Sequence, residues 1–239
     1  MSRAPGELRA APACPGRRLG VMGGTFDPIH LGHLAAATAA ADRLRLDHVL
    51  FVPSHQPPHR PATPRISAFQ RFALVALAVA GDARFVASDL ELSRPGPSFT
   101  AETLRRLQGL GHPASQLFFI IGTDAFAEIA TWHDYPAVLD LAHFVVLTRP
   151  GHPRAGAVER LPDVARRLVA LAEEGDAPLP PLKSGAILLL DAGTPDVSAT
   201  GIRERVGRGQ PVVGLVPPAV AAHIGRHGLY GPDPSHAGR

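Results

Sequence analysis

Between Gly23 and Leu34 the chain reads GGTFDPIHLGHL: two adjacent glycines, an Asp-Pro and two histidines three apart, directly behind a short apolar run. Residues of these types at one strand end can serve a metal, a phosphate chain, a proton transfer, or no more than a tight turn. Gly23 and Gly24 lack Cβ atoms, so the backbone can take unusual dihedrals and let a ligand come close. Asp27-Pro28 predicts a turn, and a helix is expected to start near residues 29 to 31. His30 and His33 then share one face of its first turn, with Gly32 removing bulk beside them. The unbonded N–H groups and the positive dipole end of that helix point the same way. Two imidazoles and several amides on one small volume make an anion site, and phosphate is the best candidate. Zinc needs a third ligand at suitable spacing, yet the chain holds neither a cysteine pair nor His-Glu-x-x-His. The dinucleotide Gly-x-Gly-x-x-Gly and the P-loop Gly-Lys-Ser/Thr are absent too.

A second candidate anion site is DVSATGIRERVGRG, residues 196–209. Ser198 or Thr200 is suited to cap a helix, and Arg203 follows in its first turn. Hydroxyls, helix N–H groups and a guanidinium form a phosphate cradle. On its own the same pattern describes a capped, solvated helix.

The elements that must position these groups follow from the apolar runs. Six are expected to be strands, at 19–23, 48–53, 83–89, 117–122, 143–149 and 186–191. Several are continuous rather than alternating, as in strands buried on both faces. Helices are expected at about 31–45, 66–80, 100–109, 124–140 (broken at Pro136), 158–174, 199–208 and 217–227. Alternating strands and helices predict an α/β fold, a single doubly wound Rossmann-like parallel sheet with helices on both faces. In such sheets ligands bind at the carboxyl ends of strands near the switch point. Residues 1–18 read as a loose N-terminal extension without a secretion signal's apolar core, 19–231 as one domain, and 232–239 as a tail.

The 239 residues are 45% hydrophobic and 19% charged, with a net charge of +3, as expected of a globular protein. No apolar run approaches the roughly 20 residues that span a bilayer, so no membrane partner is expected. Cys14 is the single cysteine, which excludes an intramolecular disulfide and agrees with a cytoplasmic home. Basic residues are not concentrated in a run and aromatics make up 5%, which argues against nucleic acid as a partner.

Taken together, GGTFDPIHLGH and SATGIRERV resemble the His-x-Gly-His and Ser-x-Thr-x-x-Arg signatures of the nucleotidyltransferase superfamily. FVPSHQPPHR (51–60), DLELSRPGPSFTAETL (89–104), FIIGTDAFAEIATWHDY (119–135), HFVVLTRPG (143–151) and HIGRHGLYG (223–231) resemble the bacterial nicotinate-nucleotide adenylyltransferases within it. The resemblance covers about residues 19 to 231. It implies adenylyl transfer from ATP to nicotinic acid mononucleotide, giving nicotinic acid adenine dinucleotide and pyrophosphate in NAD biosynthesis. Mg²⁺ is implied as the cofactor, bound mainly through the ATP phosphates, with no protein metal site.

The resemblance also implies roles. His33 contacts the ATP phosphates and His30 assists. The backbone of Gly23, Gly24, Thr25 and Phe26 cradles the nucleotide, while Ser198, Thr200 and Arg203 hold the outer phosphates. Gly122 and Asp124 lie at the sheet's ligand edge, Asp124 either binding ribose or capping the next helix. Ser98, Phe99 and Thr100 open a helix whose amides face the pyridine carboxylate, or serve simply as its cap. Trp132, with His133, stacks on the nicotinate ring, although a lone Trp of itself is more often core. His59 helps near the phosphates or is a solvated loop residue, and Arg149 binds substrate or is a surface charge. Rival expectations are another phosphorylated acceptor, such as nicotinamide mononucleotide or phosphopantetheine, and a nucleotide-binding regulator without turnover.

Overall fold

The computed structural model describes residues 17–57, 63–93, 96–148, 161–171 and 182–231. His59 and Arg149 lie outside these residues. Seven strands form one fully parallel sheet: β1 Leu19–Gly24, β2 His48–Pro53, β3 Phe85–Ala87, β4 Leu117–Gly122, β5 His143–Thr148, β6 Leu168–Val169 and β7 Ile187–Asp191. Their spatial order is β3-β2-β1-β4-β5-β7-β6. The order reverses between β1 and β4, which is where such a sheet opens a crevice.

The helices are α1 Leu31–Leu44, α2 Ala68–Val79, α3 Thr100–Gly109, α4 Thr123–Phe126, α5 Pro162–Ala165, α6 Ala199–Gly207 and α7 Pro218–Arg226. They cover both faces of the sheet. On one face Ala36, Ala37, Ala40 and Ala41 of α1 pack with Leu74 and Val75 of α2, Ile202 of α6 and Val220 and Ile224 of α7 against Met22, Phe51 and Ile120. On the other, Ala101, Leu104 and Leu107 of α3 pack against Val21, Leu50, Phe119 and Val146. Two buried faces explain why the strand sequences are continuously apolar. No helix among the described residues is long and apolar enough to cross a membrane.

Two expected helices are corrected. The stretch 124–140 is not one helix but the single turn α4 and two 3₁₀ turns, Ile129–Thr131 and Ala137–Asp140. Pro136 brings no N–H, and Asp134 stands at φ 63°, a left-handed conformation that ends a helix. Within 158–174, the described part holds only α5 and then an edge strand, β6, pairing parallel with β7. The open edge of β7 takes up these backbone groups: the Ile187 N–H donates to the Arg167 carbonyl at 2.8 Å.

Candidate active site

A cavity of about 550 Å³ opens at the carboxyl ends of β1 and β4. Its size suits a small-molecule ligand. Almost every residue singled out from the sequence lines it: Gly23, Gly24, Thr25, Phe26, His30, His33, Ser98, Phe99, Thr100, Gly122, Asp124, Trp132, His133, Ser198 and Thr200. Arg203 does not.

At one end the turn after β1 delivers the histidines. Phe26 takes a left-handed φ of 48°, unfavourable for a bulky residue, and its buried ring folds back over Gly24. A Cβ on Gly24 would lie 3.1 Å from that ring, so any side chain there would have to push the ring back by a few tenths of an ångström. The Phe26 ring in turn meets His33 edge-on at 5.0 Å. His30 is the extended N-cap of α1 and stacks on His33, centroids 3.8 Å apart at 28°. The backbone N–H of His30 donates to His33 Nδ1 at 3.3 Å. A backbone N–H can only donate, so neutral His33 carries its proton on Nε2. Its Nδ1 is thereby engaged within the turn.

The N-terminus of α6 comes to the same place. Ser198 is its cap, accepting from the Gly201 N–H at 3.1 Å, and it lines the cavity. The carbonyl of Pro195, just ahead of α6, lies 3.6 Å from where a Gly32 Cβ would be. Arg203 stands one layer behind. Its Nη1 donates to the Asp27 carbonyl at 2.7 Å and its Nη2 to Thr200 Oγ1 at 3.1 Å, so it braces the two motifs against each other.

Gly32 carries a testable consequence. An added Cβ would lie 3.0 Å from His30 Nδ1 and 3.1 Å from its Cε1. That ring cannot retreat without disturbing its stack on His33. Gly32→Ala is therefore expected to cut kcat by about tenfold. The melting temperature should change little, because the gain of Ala over Gly in a helix, at most about 1 kcal/mol, is offset by the strain of displacing the ring. Steady-state kinetics and thermal melting of the variant check both parts.

The other end of the cavity is apolar. Trp132 meets Phe119 edge-on, at 6.0 Å and 86°, and His133 stacks on Phe99 at 4.4 Å and 27°. Arg105 of α3 pairs with Asp134 at 2.5 Å and holds that carboxyl below its usual range. The α3 end and the Trp132 loop are thus tied twice. Phe99, not Ser98, is the N-cap position of α3. Ser98 instead accepts from the His55 N–H at 2.8 Å, joining this loop to the one after β2. Gly122 rather than Asp124 holds the N-cap position of α4, and Asp124 sits exposed in its first turn.

Sequence reasoning passed over Ser54, Glu91, Thr148 and Thr194, all of which line the cavity. Burial pushes the Glu91 carboxyl up, against the pull of hydrogen bonds from Thr103 (2.6 Å) and Ser98 and the charge of Arg71. Ser54, Glu91 and Thr148 stand inside the family-like stretches 51–60, 89–104 and 143–151 and Thr194 outside them, but only the folded sheet shows that all four face the cavity.

A parallel sheet with a crevice at its switch point, edged by two helix N-termini carrying histidines and hydroxyls, defines a nucleotide-binding transferase scaffold. A family model described as cytidylyltransferase-like matches residues 21–205, and the chain belongs to that family. Within it the chain belongs with the nicotinate-nucleotide adenylyltransferases. The Pseudomonas fluorescens protein named "Probable nicotinate-nucleotide adenylyltransferase" is 43% identical over 216 residues, 90% of this chain and 98% of that one. Proteins of the same name from Symbiobacterium thermophilum and Cronobacter sakazakii are 42% and 44% identical, over 92% and 88% of this chain and 98% and 94% of theirs. Among solved structures, Plasmodium falciparum nicotinic acid mononucleotide adenylyltransferase complexed with NaAD matches with a TM-score of 0.65 at 15% identity, over 90% of this chain and 97% of that one. That likeness speaks for the fold.

Proposed function

We propose that the protein transfers the adenylyl group of ATP to nicotinic acid mononucleotide, forming nicotinic acid adenine dinucleotide and pyrophosphate in cytoplasmic NAD biosynthesis. The observation that carries this reading is one cavity with two unlike ends. His30, His33, Ser198 and the N-termini of α1 and α6 gather at one, and Phe99, Thr100, Phe119, Trp132 and His133 at the other. The names of the relatives agree with it.

The chemistry suits these groups. A phosphate monoester has its second pKa near 6 and is already an anionic nucleophile at neutral pH. Its oxygen attacks the α-phosphorus of ATP, the bond from that phosphorus to the bridging oxygen breaks, and pyrophosphate leaves. No side chain needs to remove a proton. The work of the site is alignment and stabilisation of charge at the α-phosphate, for which fixed imidazole, hydroxyl and amide donors are suited. His33 Nε2–H is proposed to meet the α-phosphate. His30, Ser198 and Thr200 hold the chain beyond it, and Arg203 keeps their two helices in register. Bound through the ATP phosphates, Mg²⁺ would supply neutralisation of their charge. The donors at this end are imidazoles, hydroxyls and amides, and no three His, Cys, Asp or Glu side chains among the described residues are grouped to hold an ion. The amides opening α3 at Thr100 favour an acidic over an amide pyridine substituent, and Trp132 offers a ring face.

Pyrophosphate release from ATP and Mg²⁺, measured with each acceptor in turn, tests this. Nicotinic acid mononucleotide is expected to exceed nicotinamide mononucleotide by at least about tenfold in kcat/KM, since a buried donor left without its anion is costly. Phosphopantetheine should give no release. Equal rates with acid and amide would remove the assigned specificity, and release with none of them would remove the reaction.

A further inference from the structure

Asp27 stands immediately ahead of the two histidines and lines the cavity, yet it is only 6% exposed. A carboxylate beside a phosphate site is electrostatically misplaced unless its charge is engaged elsewhere. Here it is. Oδ1 accepts from the Tyr230 hydroxyl at 2.8 Å and Oδ2 from the Arg65 backbone N–H at 2.9 Å. Its backbone carbonyl takes Arg203 Nη1, and buried Arg71 adds an attracting charge. The turn is therefore gripped from α2, from α6 and from the far end of the domain.

Tyr230 is built for this contact. It follows α7 at a left-handed φ of 63°, a conformation a bulky side chain adopts only when its surroundings demand it. Its ring is buried in the core that α1 and α7 share, and its hydroxyl reaches across 203 positions of sequence to Asp27. Burial, then the Asp27 charge, push its pKa up, so it stays a neutral donor.

We propose that Tyr230 is a positioning residue of the phosphate site: by donating to Asp27 Oδ1 it fixes the turn from which His30 and His33 project. The inference rests on the function proposed above, and its test separates the two. Y230F keeps the ring in the core and removes only the hydroxyl. In the full-length variant kcat for pyrophosphate release is expected to fall about tenfold, with KM for nicotinic acid mononucleotide held within about twofold. In the ligand-free protein the imidazole NMR signals of His33 are expected to shift, while those of His143, buried in β5 away from the turn, stay in place. An unchanged kcat or an unshifted His33 signal overturns the proposal. D27N approaches the bond from its other end and should move the same His33 signals; if they stay in place the proposal falls as well. Wild-type protein that releases no pyrophosphate defeats the proposed reaction instead, and leaves the His33 signals as the measure of this link.

Discussion

Replacing His33 with Ala is expected to lower kcat by about two to three orders of magnitude, the cost of removing one preorganised donor from a developing oxyanion. KM for nicotinic acid mononucleotide should stay within about twofold, because the pyridine end of the cavity is untouched. Stability should fall by about 1 kcal/mol, because the His30 N–H loses the Nδ1 acceptor that closes the start of α1. The geometry also favours one of two proposed roles for the imidazole. A general base needs an unprotonated nitrogen facing the nucleophile. In neutral His33 that nitrogen is Nδ1, and it already accepts from the His30 N–H. The nitrogen left for the ligand carries a proton. The donor role therefore predicts a loss carried by kcat and not by KM. Pyrophosphate release by wild type and H33A measures both. A loss of less than about tenfold in H33A would leave His33 a wall residue and move the charge stabilisation to backbone amides.

Much of this site can be read from the sequence because its parts are local. Two glycines, a turn and an i, i+3 histidine pair are all within twelve positions, and the Ser198 cap needs only its own helix. The six apolar runs were each long enough to declare a strand. Errors fell where tertiary context decides. The 124–140 stretch has helical spacing, but the left-handed Asp134 and Pro136 divide it, and the Arg105 pair shows what the division gains. β6 has two residues, and only the waiting edge of β7 makes them a strand. Arg203 bonds Thr200 within its own turn, but the bond from its guanidinium to the Asp27 carbonyl, 176 positions away, is a contact no spacing foretells. Arg71 carries no signature at all, and Tyr230 is only the penultimate residue of the family-like HIGRHGLYG; the purpose of each is visible only from the loops it reaches.

Arg71 shows how much such a residue can weigh. It stands on the buried face of α2 beside Leu74 and Val75, and is 1% exposed. No short-range pattern calls for a guanidinium there. Nη1 donates to the Thr25 carbonyl at 2.6 Å; Nη2 donates to Ser54 at 2.6 Å and to His55 at 3.2 Å, again at carbonyls. It therefore joins the loops after β1 and β2, the two walls that meet at the phosphate end of the cavity. Burial pulls its pKa down, and the Asp27 and Glu91 carboxylates offset part of that. Arg71→Met fills similar space but leaves the three carbonyls without this donor and both carboxylates without their counter-charge. Breaking a buried charge arrangement from one side costs about 3–5 kcal/mol, and for a domain of this size that lowers the melting temperature by roughly 10 °C. Arg71→Lys retains the charge but has a point donor where a planar fork spans two loops, so roughly half the loss is expected. Urea and thermal unfolding of the two variants give the comparison. A Met variant within about 1 kcal/mol of wild type would mean that the loops hold each other and that Arg71 merely occupies the space between them. The expected ordering, wild type above Lys above Met, would make the walls of the site a product of one buried cation that no motif announces.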